Sequence, residues 1–315
     1  MSSTGERDDK FGLETQAILA RVGAVRKGYA VSDYSKGMII TALGVLLVVP
    51  DSLFVRLIDG DPMVTAFWRA LSSGSLVAVV VLATAGTKGF SDVIKVGPPA
   101  FIYMVLIAST TPGFVLAISN TSVANAVFIF ASMPVFSALF GWIFLRERIG
   151  RRMVLTMIVV FIGLAIIAQG SGENEQAHWV GDAWALYVTI AYAGALTAVR
   201  RAKDVPMIPA VPLGYLGAAL VIWMFKDPFD ALSTTWMLYL AHGFFIGAAT
   251  VFLTLGPRYI SATEVALLIL LESVLAPILV WFVLGEDPGK LALLGGAVVI
   301  GALLVSTVIA MRRAR

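Results

Sequence analysis

Apolar residues in this chain come in long unbroken runs rather than in alternating or single-faced patterns. Stretches of about 20 apolar residues, the length a helix needs to cross a bilayer core, recur with short polar breaks. They cover 37–58, 63–85, 98–119, 122–144, 152–169, 179–199, 206–225, 236–256, 262–284 and 290–311. Strands of a membrane barrel would be about half as long and alternate in polarity. The pattern therefore predicts an all-α integral membrane protein with ten transmembrane helices. Only Asn120 and Thr121 separate the third run from the fourth, which predicts a tight turn there. Residues 1–35 are mixed and charged, without the apolar stretch of a cleaved signal peptide, and read as a tail. Within it, Phe11, Ile18, Val22 and Val25 share one face of a short helix that could lie on the membrane surface.

Composition agrees with a bilayer environment. Apolar residues of the AVILMFWYC set make up 59% of the chain, charged residues only 14%, and the mean hydropathy is +0.89. A soluble domain carries about 25% charge, so a water-soluble enzyme is excluded, and so is a disordered chain. The net charge of +3 and pI near 9.2 would suit nucleic acid in a soluble protein. Here the basic residues segregate. With a cytoplasmic N-terminus, one side collects Lys88, Lys95, Arg146, Arg148, Arg151, Arg152, Arg200, Arg201, Lys203, Arg258, Arg312, Arg313 and Arg315. The other side keeps Arg56, Lys226 and Lys290. This positive-inside bias predicts an inner-membrane protein with both termini cytoplasmic and no nucleic-acid partner. With no cysteine and only two histidines, neither a thiolate metal site nor a bound cofactor is expected.

The chain also repeats itself. SVANAVFIFASMPVFSALFGWIFLRERIGR, from Ser122, aligns without gaps to SATEVALLILLESVLAPILVWFVLGEDPGK, from Ser261. Identities include Val135/Val274, Trp142/Trp281, Leu145/Leu284, Glu147/Glu286 and Gly150/Gly289. Weaker matches pair Val55-Arg56 with Val199-Arg200 and Pro62-Met63 with Pro206-Met207. The reading is a tail at 1–35 and five-helix repeats at 36–169 and 179–311. Because five is odd, the second repeat enters the membrane inverted, and the basic RERIGRR loop faces the opposite side from acidic GEDPGK. Inverted repeats underlie many secondary transporters, which bind substrate near the midplane between the halves.

The segments PVFSALFGWIFLRERIG and ESVLAPILVWFVLGEDPG, each closing the fourth span of its half, resemble the drug/metabolite transporter superfamily, and within it the ten-span proteins with two EamA-like repeats. The resemblance covers about residues 37–311 and implies a secondary carrier of small metabolites, often amino acids, and frequently an exporter. Pro134 and Pro277 sit one turn apart in the aligned repeats, so a kink at either need not recur in the other.

Ionisable groups inside a span cost about 2.5–3.5 kcal/mol on insertion scales, and the few present mark a site. Glu272 lies near mid-membrane in the ninth span. Apolar burial disfavours a charged carboxylate, which suits Glu272 to proton exchange or to a cationic substrate group; its structural alternative is a bond to Arg69 or to a neighbouring hydroxyl. Asp51 follows Pro50 inside the first span and reads either as a second proton site or as the organiser of a helix bend. Arg69, in FWRAL, reads as an ion-pair partner or a carboxylate ligand. His242 is alone among apolar neighbours and suits packing, with proton relay as the alternative. Asn125, aligned with Glu264, and the aromatics Trp184, Tyr187, Tyr192 and Trp281 are candidate pocket residues. Trp68 could stack on Arg69. Gly295, Gly296 and Gly301 predict close packing of the last span, within the chain or across a homodimer.

No G-x-x-x-x-G-K-[ST] loop supplies ATP binding, and no H-E-x-x-H helix or Asp-rich metal motif supplies hydrolysis or lipid transfer. The expectation is a secondary active transporter, not an enzyme, with membrane lipid around it. Its substrate would be a small polar, amino-acid-like or zwitterionic metabolite, carried outward with proton coupling. The alternatives are an importer of a vitamin or osmolyte, and a membrane-embedded lipid-modifying enzyme.

Overall fold

The computed structural model describes residues 33–121, 123–171, 179–229, 232–285 and 289–314, and the regular structure of these residues is entirely helical. The surface helix expected around Phe11–Val25 lies outside the described residues, as do Ser122 and Glu286 of the repeat alignment. In the first half, α1 covers 33–48 and α2 Asp51–Ile58; α3 (Pro62–Lys95), α4 (Pro98–Asn120), α5 (Val123–Phe130), α6 (Met133–Leu145) and α7 (Arg151–Ser171) follow. The second half contains α8 (Trp179–Arg201), α9 (Ala210–Trp223), α10 (Leu232–Leu255), a 3₁₀ turn at Gly256–Arg258, α11 (Ala262–Leu284) and α12 (Gly289–Ala314).

Local sequence explains where these helices break. Pro50 has no N–H to offer the carbonyl of Leu46, so the first span is interrupted at Val49-Pro50 and Asp51 opens α2. Asp61 caps α3 by accepting from the N–H groups of Met63 and Val64 at 2.9 and 3.1 Å, with Pro62 in the first helical position. The predicted second span ends at residue 85 because Gly86 adopts φ 59°, ψ −160°, a backbone state open to glycine, and 87–95 continue beyond the bend. In the fourth span Pro134 withholds a donor from Phe130, and the helix breaks at Ala131-Ser132. Its counterpart α11 runs unbroken past Pro277.

Six helices among the described residues are long and apolar enough to cross a membrane: 33–58, Pro62–Lys95, Pro98–Asn120, Trp179–Arg201, Thr235–Arg258 and Ala262–Leu284. Met133–Leu145, Ala210–Trp223 and Leu293–Ser306 are apolar but shorter. The seventh expected span, 206–225, contracts to the 14 residues of α9 because Pro206 and Pro209 hold the chain before Ala210 out of helix. At about 1.5 Å per residue it covers only about 21 Å, less than the roughly 30 Å hydrocarbon core.

The packing repeats between halves. α4 packs on α8 as α10 does on α2; α3 packs on α10 as α9 does on α4; α6 packs on α8 as α11 does on α2; α5 packs on α7 as α11 does on α12. Three further pairs, α3–α9, α7–α12 and α6–α11, join equivalent helices. Exchanging the halves therefore maps most of this packing onto itself; the α3–α4 contact is an exception, with no α9–α10 counterpart of similar extent. Part of the expected glycine packing falls within the chain: a Cβ on Gly163 of α7 would stand 2.9 Å from the Gly295 carbonyl oxygen of α12, and one on Gly296 3.1 Å from Val274, whereas one on Gly301 would meet nothing within 4 Å among the described residues.

The aligned helix ends share one cap. Arg146 ends α6 at φ 57° and Gly285, its counterpart, ends α11 at φ 75°. Left-handed backbone costs a side-chain-bearing residue roughly 1–2 kcal/mol, while glycine adopts it freely. Arg146→Gly is expected to raise stability by about 1 kcal/mol, and Gly285→Ala to lower it by a similar amount, read as opposite shifts of the thermal unfolding midpoint in detergent.

Candidate functional site

The buried polar groups converge between the halves. Asp51, in the first turn of α2, faces Arg69 of α3 in a two-pronged ion pair: Nη2 lies 2.6 Å from Oδ2 and Nε donates to Oδ1 at 3.1 Å. Arg69 Nη1 also donates to the Thr111 hydroxyl at 3.3 Å, and the guanidinium lies 5.2 Å above the Phe114 ring. On the other side of Asp51, Nε2 of His242 from α10 lies 2.5 Å from Oδ1. Phe54 stacks on the imidazole with ring centres 5.3 Å apart. The helix crossing makes this reach possible, because Gly243 leaves no Cβ to collide with Ser72 of α3. Asp51 and His242 are 1% and 0% exposed, so the carboxylate's charge is balanced here or nowhere. His242 is alone among apolar neighbours only in sequence: one ring nitrogen bonds Asp51, while buried Nδ1 has no partner among the described residues.

Beside this cluster lies a cavity of about 70 Å³ lined from both halves. Asp51, Arg69, Thr110 and Phe114 line it from the first half, and Tyr192, Tyr215, Thr250 and Glu272 from the second. Its border draws on three separate apolar clusters, through Phe130, Ile246 and Ile269. Glu272, 9% exposed, reaches this space and has no hydrogen bond or ion pair among the described residues. The structural alternative for Glu272 is thereby corrected, since Arg69 binds Asp51 rather than Glu272. Of the five N–H donors on Arg69, three are used in the bonds above, leaving two for other groups.

The aromatic expectations divide along α8. Ala185, Val188 and Tyr192 recur at helical spacing on its inner face, and Tyr192 lines the cavity. Trp184 and Tyr187 stand three residues apart on a face rotated away, touch each other edge-on at 5.8 Å, and do not line the cavity. Tyr187 is 41% exposed and belongs to a lateral groove instead. Trp281 is equally exposed, so neither residue is a pocket aromatic here. Trp68 does not stack on Arg69; its indole N–H donates to the Pro228 carbonyl at 2.9 Å. Asn125 lies in α5, but its side chain is outside the described residues. Sequence reasoning overlooked Thr110, Thr111, Tyr215 and Thr250. The run Ser109-Thr110-Thr111-Pro112 inside an apolar span was the available signal for the first two.

Polar links tie the halves together at both helix ends. At one end Glu147 pairs with Arg200 at 3.1 Å and Arg152 with Glu264 at 3.4 Å, while Arg200 also donates to the Pro257 carbonyl at 2.9 Å. At the other, Asp61 pairs with Lys226 at 2.8 Å. The Lys226 ammonium holds the Asp61 carboxyl below the usual carboxylate range, so this link is intact at neutral pH and weakens as acid protonates Asp61.

Comparison with known proteins places this architecture. No curated protein matches the sequence. A protein crystal structure with 18% sequence identity superposes with a TM-score of 0.72, over 89% of this chain and 99% of that one, a likeness of fold alone. The model of the EamA-like transporter family matches twice, at residues 35–169 and 179–308. With both halves accounted for, this multi-pass membrane protein belongs to the EamA-like transporter family.

Proposed function

We propose that the protein is a secondary active transporter exporting a small amino-acid-like or zwitterionic metabolite across the inner membrane. Ten spans form two inverted five-helix halves with both termini cytoplasmic, and the halves alternate access to the central cavity. The observation that carries this reading is Glu272: a buried, unpartnered carboxylate facing a cavity walled by both halves. An ammonium group would satisfy it, and the spare donors of Arg69 would receive a carboxylate on the same solute. A proton on Glu272 would serve when the ammonium is absent, which is the basis of coupling. The cavity holds a handful of waters and is smaller than the roughly 300–1,000 Å³ of ordinary ligand sites, so the halves must separate to load a solute.

Two measurements test the reading. Purified protein in proteoliposomes loaded with unlabelled amino acids is expected to exchange at least one of them for external labelled solute, whereas no exchange across a panel of amino acids and related zwitterions would remove the substrate class. Single cysteines placed at Trp142 and Trp281 are expected to label from opposite sides of the membrane. Labelling from one side would end the inverted arrangement.

A further inference from the structure

A concavity larger than the central site lies elsewhere. A groove of about 1200 Å³ runs between α4, α6 and α8, lined by apolar side chains such as Ile102, Leu106, Phe140 and Ile190. Along α8 it extends from Tyr187 to Arg201, about 21 Å at helical rise, which covers the half-thickness of roughly 15 Å that one lipid chain occupies in a bilayer core. Its floor is open because Gly194 has no side chain; a Cβ there would stand 3.0 Å from Leu106 Cδ1.

One end of the groove is basic. It passes into a second, polar cavity of about 480 Å³ through shared Pro99, Leu145 and Arg201. Arg146 lines the groove at this end, while Arg200 and Lys203 line the polar cavity. Glu147 is the one acid lining either, and Arg200 already neutralises it. Arg201 anchors α8 to the end of α6 through the Phe144 carbonyl at 3.0 Å and has donors left over. Arg146 and Lys203 have no ion-pair partner among the described residues. Arg146 and Arg201 sit where α6 and α8 end, and Lys203 lies just beyond α8.

The geometry points to a selective site for an anionic phospholipid, with one acyl chain in the groove and its phosphate against Arg146 and Arg201. An uncharged chain alone would leave the basic end unmatched, and a free anion would leave the apolar groove unmatched. Basic pockets between membrane helices are suited to acidic headgroups by charge and hydrogen bonding together.

Native mass spectrometry of the purified full chain tests this, with phosphatidylglycerol and phosphatidylcholine of identical acyl chains added in equal amounts. Phosphatidylglycerol is expected to be retained on the order of 25-fold better, the effect of two basic side chains at a lipid headgroup. Arg146→Gln/Arg201→Gln should bring that preference close to one, and Arg146→Lys/Arg201→Lys should keep most of it. Ile190→Trp, which fills the groove, should reduce retention of both lipids. Lys226→Gln, at the opposite helix ends, should change nothing. Equal retention of the two lipids by the native chain would overturn the assignment. So would a preference that survives the glutamine pair or falls equally with Lys226→Gln. A dimer lost on Ile190→Trp without any lipid preference would give the groove to a second copy instead.

Discussion

Arg69→Leu is expected to cost about 3–5 kcal/mol of stability, the penalty for leaving one member of a buried ion pair uncompensated. Asp51 is 1% exposed and Arg69 7%, so water cannot replace the lost guanidinium. His242 stays in place at 2.5 Å, but a neutral imidazole gives Asp51 one hydrogen bond where Arg69 gave two and a full charge. The measurement is the unfolding midpoint in detergent. A second variant separates loss of the pair from loss of packing. Asp51→Asn/Arg69→Leu removes both charges together and is expected to recover most of the deficit, since a buried pair exchanged for neutral groups is often nearly neutral overall. An Arg69→Leu protein that melts with the native chain would show that Asp51 is neutralised by something other than this arginine.

Glu272→Gln is expected to uncouple transport from the pH gradient while leaving solute exchange measurable at a raised half-saturation, because the amide oxygen still accepts from an ammonium but without the charge. The amide has the shape of the carboxylate and neither its charge nor its proton. If one proton is exchanged for each solute, a gradient of one pH unit supports about tenfold accumulation on the acidic side with the membrane potential held at zero. In proteoliposomes the native protein should approach that value, and the variant should stop at equal concentrations on the two sides. Counterflow at uniform pH distinguishes an uncoupled carrier from a dead one. Gradient-driven accumulation that survives the substitution would take the coupling role away from Glu272. Asp51 is the poorer candidate for that role, because its two oxygens are already engaged by Arg69 and His242.

Much of this molecule was legible in one dimension because each apolar run must by itself be long enough for a bilayer. The interruption at Pro50 was likewise legible because it follows from one residue's missing N–H. The α5–α6 break and the continuity of α11 were not, since Pro134 and Pro277 look alike in sequence and only the surrounding packing decides whether a helix opens. Span seven was overestimated for a related reason: hydropathy ignores that Pro206 and Pro209 deny helix to the residues before Ala210. Within the site, Glu272, Asp51, Arg69 and His242 stood out as costly groups in apolar surroundings. Their partnerships did not, because Arg69 meets Asp51 across 18 positions and His242 meets it across 191. No local pattern encodes such a meeting. Trp184 and Tyr187 lie off the central cavity through a rotation of about 100° per helical position, which places them one step off the face that holds Tyr192.

The break at Ala131-Ser132 occurs in one repeat only, and α11 answers it with a continuous rod. If the halves were identical, swapping their shapes would convert a carrier open to one compartment into its mirror form open to the other, at no net free energy. Here that swap would require α11 to open and α5–α6 to close, and the two are chemically different helices. Under the proposed alternating access, half-saturation on the two faces would therefore be set by separate structural means, and selection could tune release into one compartment without loosening capture from the other.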